Sequence, residues 1–155
     1  MIKLEYEMEN TLRVAIRASI TAASVAIEEL AQTRIYGFRL DDEDQGPNDV
    51  YGLRVFITAM PNSTAGYNPA IALEAQRDMS VEITYLAQPD NDIPRTVFVA
   101  LENAVRSVFE TVPVPFAMPT GVYFGAAMIT GGGSSEFGDF GQAGGFTVEM
   151  KLSIT

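Results

Sequence analysis

The 155-residue chain contains no cysteine, no histidine and no tryptophan. Without cysteine there are no disulfides, no thiolate metal sites and no thiol nucleophile. The same absence fits assembly in a reducing cytoplasm. Without histidine, the chain lacks the side chain best suited to proton transfer near neutrality and the commonest metal ligand. Ser-His-Asp and Cys-His mechanisms are excluded, and with them most zinc sites. Positive charge is scarce: 10 Lys and Arg stand against 20 Asp and Glu, a net charge of −10. A phosphate binder gains affinity by releasing counterions with Lys and Arg, so tight nucleic-acid binding is not expected. An acidic surface favours solubility, and it would also leave a moving duplex ungripped.

Long apolar runs are missing as well. The longest weakly charged stretch, Ala18 to Ile27, falls short of the about 20 apolar residues that span a bilayer. Glu5, Glu7 and Glu9 interrupt any signal-peptide core, so a soluble chain with no cleaved signal and no membrane partner is expected. Hydrophobic residues make up 47% of the chain. The length suits one domain over residues 1–155, large enough to bury roughly two thirds of its unfolded surface without a disulfide or metal staple.

Hydrophobic periodicity outlines the elements. Leu12, Ile16, Ile20, Ala23, Ile27 and Leu30 predict an alanine-rich amphipathic helix from Asn10 to Arg34, with Asn10 or Thr11 as its cap. Arg13 and Arg17 lie one turn apart, off the main stripe. Residues 1–9 alternate like a strand, yet their composition favours an extension of the helix or a mobile arm. Tyr51 to Ala59 and Arg77 to Gln88 read as strands. Pro94 to Glu110 reads as a second helix with Val97, Leu101, Ala104, Val105 and Val108 on its buried stripe. Gly121 to Thr130 and Phe146 to Thr155 read as an antiparallel hairpin around a long glycine-rich loop, 131–145. The predicted class is α+β in the order α-β-β-α-β-β. Each of two main helices can cover one face of a mainly antiparallel four-stranded sheet.

Three loops could carry chemistry. Asp41 to Asp49 is acidic, but in a calcium-loop register from Asp41 the twelfth position is Gly52 and not a bidentate glutamate, so no metal is expected. Gly131 to Ser135 has no following lysine and precedes a strand, which argues against a phosphate cradle. A flexible hairpin tip is expected instead, and deleting Gly132 to Gly144 should leave the fold intact but impair assembly. Phe137 and Phe140 within it need cover, from a partner subunit or from the domain itself. No spacing among the acids marks a catalytic pair. No catalytic residue and no cofactor are expected.

The alanine-rich first helix ends in Glu28–Glu29–Leu30–Ala31–Gln32–Thr33–Arg34–Ile35–Tyr36. A polar loop follows, then a strand (Leu53 to Thr58), then a strand passing through a short acidic turn into a helix (Val81 to Phe109), then a closing hairpin. This layout resembles the tail-terminator (tail completion, or neck) proteins of long-tailed bacteriophages. The resemblance implies a non-enzymatic homo-hexameric ring that caps the tail tube and joins it to a head-side connector protein. Such a protein assembles in the host cytoplasm, resides in the virion, and lets DNA pass through its lumen without tight binding. In that reading Phe137, Phe140, Arg13 and Arg17 are candidate assembly contacts. Asp41, Asp42, Glu43 and Asp44 are candidate lumen-facing acids. The alternatives are another head-tail connector or accessory virion protein, a stand-alone ligand-binding module, and a carboxylate-dependent hydrolase.

Overall fold

The computed structural model describes residues 2–38, 52–61, 75–87, 95–110, 117–136 and 142–154. Leu4, Met8, Leu12, Ile16 and Ile20 recur at every fourth position, and this period builds the first helix, α1 (Ile2–Ala23). All five are buried. The early alternation of apolar residues imitates a strand because a four-residue step is also two two-residue steps. Tyr6, which breaks the coincidence, is 46% exposed. The first residues therefore extend the helix, and neither Asn10 nor Thr11 is its cap. Asn10 lies within α1, where its Oδ1 accepts a 2.7 Å hydrogen bond from Arg13 Nη2.

The helix stops at Ala23, well short of Arg34. Thr21, Val25 and Ile27 are β-branched and disfavour helix. The chain turns, Ile27 is extended, and a short 3-10 helix, Glu28–Gln32, places Leu30 in the core. Thr33 closes it, donating from Oγ1 to the Leu30 carbonyl at 2.8 Å. A strand that the sequence pattern did not predict follows directly, β1 (Arg34–Gly37).

The remaining elements are β2 (Leu53–Pro61), β3 (Ala75–Ala87), α2 (Arg95–Glu110), β4 (Val122–Glu136) and β5 (Gln142–Ile154). The class is α+β, with two helices and a five-stranded rather than four-stranded sheet in the order β1-β2-β3-β5-β4. β1 runs parallel to β2, and every other pairing is antiparallel. A parallel neighbour needs a crossover connection, so no hairpin signal in the sequence marks β1.

Strand alternation holds where it was expected. Leu53, Val55 and Ile57 of β2 are buried, as are Met79, Val81, Ile83 and Tyr85 of β3 and Phe146, Val148, Met150 and Leu152 of β5. The pairing register sets Val55 level with Tyr85 and Ile83 level with Phe146, so these residues share one face. Both helices lie on that face. α1 packs on β1 and β2, α2 packs on β3 and β5, and the helices touch each other. Ser19 Oγ of α1 donates to the Ala104 carbonyl of α2 at 2.6 Å. The expected stripe of α2 is buried, joined by Phe98. The helices thus form one layer, leaving the second face of the sheet without a helical cover among the described residues.

The glycine-rich segment is largely strand and not loop. Gly131 to Glu136 continue β4, and Gln142 to Gly145 begin β5. Deleting Gly132 to Gly144 would therefore remove paired residues from both strands, and it should destabilise the fold. The acidic stretch at 41–49, the residues 62–69 and 88–94, and the proline-rich 112–115 lie outside the described residues. No helix among the described residues is long and apolar enough to cross a membrane.

Candidate assembly surfaces

The β4–β5 hairpin is held to the helical layer by one cluster. Tyr85 of β3 is fully buried. Its ring tilts against Phe98 and Phe146, with centroids 5.6 and 6.4 Å away. Phe109 of α2 meets Phe146 edge-on at 5.6 Å, and the Arg106 guanidinium lies over the same ring at 5.1 Å. β5 can approach Tyr85 this closely because position 144 has no side chain: a Cβ there would sit 2.6 Å from Tyr85 Cε2. Two residues further along β5, opposite Phe146, β4 bulges between Thr130 and Gly133. Gly131 and Gly132 take φ of 65° and 112°, which non-glycine residues adopt at a steric cost.

The Tyr85 hydroxyl donates a short hydrogen bond, 2.5 Å, to Glu102 Oε2. Burial raises the Tyr85 pKa well above its usual value, and the Glu102 carboxylate beside it adds to the shift. Below about pH 10 the phenol is neutral in both folded and unfolded chains. Above that pH the unfolded phenol ionises while the buried one keeps its proton, so stability falls as pH rises. Tyr85→Phe should lose about 1.5 kcal/mol near neutrality, since Glu102 is half-buried and can rehydrate. It should also shallow the alkaline decline. Urea unfolding of both proteins at about pH 8 and about pH 11 measures the two effects.

The sheet ends in two edges. Among the described residues β1 pairs only with β2, and β4 pairs only with β5. β4 lies at the margin of the helical layer. Ala127, level with the buried Met150, is itself exposed, and Met128 is 62% exposed. The uncovered face is polar at its centre, where Thr58, Ser80, Glu82, Thr84, Thr147 and Glu149 stand in adjacent strands. Ser80 Oγ donates to Glu149 Oε2 at 2.7 Å. Apolar groups collect at the two margins instead. Tyr36 of β1 stacks on Phe56 of β2 with centroids 5.3 Å apart, and Phe38 just beyond is 74% exposed. Met128 stands at the other margin.

Of the expected contact residues, the structure gives Arg13 and Arg17 internal roles. Arg13 bonds Asn10, and Arg17 Nη2 donates to the Thr33 carbonyl at 2.7 Å, tying α1 to the start of β1. Phe137, Phe140, Asp41, Asp42, Glu43 and Asp44 lie outside the described residues. Sequence reasoning missed the buried acids Glu5 and Glu9. Glu9 Oε1 accepts from the Ala59 amide at 3.2 Å, at the far end of β2. Their place on the stripe, one residue after Leu4 and Met8, was the available signal. An open groove of about 510 Å³ runs between the first half of α1 and residues 117–122, lined by Leu4, Tyr6, Asn10, Met118 and Pro119 among others. No group of three or more His, Cys, Asp or Glu among the described residues could hold a metal ion. No protein-family model matches the chain, and no curated protein matches it in sequence.

Proposed function

We propose that this chain is a non-enzymatic virion structural protein, a tail terminator that forms a ring, caps the tail tube and joins it to a head-side connector. The layout behind the resemblance supports this reading: a first amphipathic helix, the antiparallel strands β2 and β3 leading into a second helix, and a closing hairpin, with the short β1 added before β2. The observation that carries it is the uncovered sheet face. That face presents hydroxyls and the carboxylates of Asp78, Glu82 and Glu149 across paired strands, balanced by Lys151 opposite Asp78 and by Arg34 level with Arg54 at the β1–β2 margin. With its bases matched by acids, a surface of this kind offers a polyanion no net attraction, and a channel lined by it lets a duplex slide without being gripped. Assembly takes place in the host cytoplasm and the product resides in the neck of the particle.

The test is native mass across a concentration series, with negative-stain images of the protein mixed with purified tail tubes. A closed ring, and density capping one end of each tube, is the expected result. A stable monomer that ignores the tubes would remove this reading. The groove beside α1 would then become the place to look for a small ligand, since its volume suits one.

A further inference from the structure

We propose that copies of this chain join edge to edge, β4 of one copy pairing antiparallel with β1 of the next, so that one continuous sheet runs around the ring. The proposal rests on the ring reading above and names its interface.

The first argument is topological. A ring needs a heterologous contact, in which two different surfaces of the same chain meet. Among the described residues the sheet supplies two such surfaces, at opposite ends of its strand order. Strand directions follow from the pairings: β1 and β2 run one way, β3 the reverse, β5 with β1, and β4 against it. A copy placed beside another without inverting it therefore sets β4 antiparallel to β1, the more stable pairing.

The second argument is protection. A long exposed edge is a template for pairing, and proteins that stay monomeric blunt such edges with charge, proline or a very short strand. β4 spans Val122–Glu136 and carries no charge and no proline before Glu136. Its bulges bend the strand but leave the stretch from Ala126 to Thr130 in regular register. β1 is only four residues long and carries Arg34, so the unprotected edge is that of β4; of the chain's 20 acids none falls in residues 34–38 or 122–135. Pairing β4 with β1 therefore sets no carboxylate of one strand against a carboxylate of the other before Glu136.

The third argument is the apolar margins. Met128 stands exposed at one edge, and the Tyr36–Phe56 stack stands at the other, both on the uncovered face. Tyr36 is level with Thr84 of β3 and Met128 with Ser80, four residues apart along that strand. Closing a sheet on itself requires a stagger between strands. A stagger of four residues per copy brings the Met128 thioether onto the Tyr36 ring, a favourable sulfur–aromatic contact. The helical layer takes the outer, larger circumference, and the polar face turns to the lumen.

The test exploits a chain with no native cysteine, in which only engineered thiols can cross-link. Oxidising Met128→Cys/Tyr36→Cys should produce covalent multimers up to the size of the ring, while each single variant yields none. Met128→Asp should reduce the native mass to that of a monomer with an unchanged circular dichroism spectrum. Met60→Asp, a control on the same face in β2, should still form rings. Rings that persist in Met128→Asp, with no cross-linking from the double variant, would overturn the edge contact and leave the ring reading standing. Disulfide dimers from Met128→Cys alone would show β4 pairing with its own copy, which also overturns it. A wild-type protein that is monomeric at every concentration would remove the ring reading, and this proposal with it.

Discussion

Ile20→Asp should leave the chain without a cooperative unfolding transition. Ile20 is fully buried in the last turn of α1, where it ends the buried stripe, one residue from the Ser19 contact that joins α1 to α2. Removing its side chain alone forfeits about 2–5 kcal/mol of packing. A carboxyl group placed there without a partner adds several kcal/mol more, whether it stays charged or takes up a proton. The sum reaches the about 5–15 kcal/mol that holds a domain of this size together. Val14→Asp is the matched control: the same helix and the same added charge, at a side chain 60% exposed. Its stability should stay within about 0.5 kcal/mol of wild type. Thermal unfolding followed by circular dichroism separates the two variants, and an Ile20→Asp protein that melts like wild type would refute the packing of α1 described above.

The second large effect is expected at Gly144. A Cβ at this position would stand 2.6 Å from Tyr85 Cε2 and 2.8 Å from the Gly133 carbonyl. Tyr85 cannot swing aside, because Phe98, Phe146 and the Glu102 hydrogen bond hold it. The Gly133 carbonyl belongs to the neighbouring strand and moves only with the ladder. Overpacking a rigid site costs about 1–3 kcal/mol for added methylenes, and Gly144→Val should reach or pass the upper end. Gly131→Asn gives the contrast. It keeps a positive φ of 65°, a conformation asparagine tolerates, and nothing lies within 4 Å of the new Cβ. Denaturant unfolding should find Gly131→Asn close to wild type and Gly144→Val strongly destabilised. Equal effects would mean that the glycines serve only as conformational hinges.

How much of this was legible in the sequence differs by element. The buried stripe of α2 and the inward faces of β2, β3 and β5 were readable residue by residue, because period 3.6 and period 2 are local properties of the chain. The start of α1 was legible too, in the four-residue steps from Leu4, although a competing two-residue pattern hid it. Its end was not: Ala23, Ile27 and Leu30 continue the helical period, but the chain turns so that Leu30 fills the core and β1 can lie beside β2. The candidate surfaces were the least legible. Glycine-rich sequence reads as a flexible tip, and only the approach of Tyr85 shows that Gly144 sits where a side chain would collide.

By itself the sequence determined what the chain cannot do by cysteine or histidine chemistry, the kinds of element it forms and the side of each that is buried. These follow from composition and from repeats within a few residues. The tertiary structure alone decided that both helices share one face, that a fifth strand joins in parallel, and that among the described residues the sheet ends in two edge strands of opposite direction. Those features arise from contacts between residues far apart in the chain, and no pattern within a single element encodes which distant strand will lie beside it.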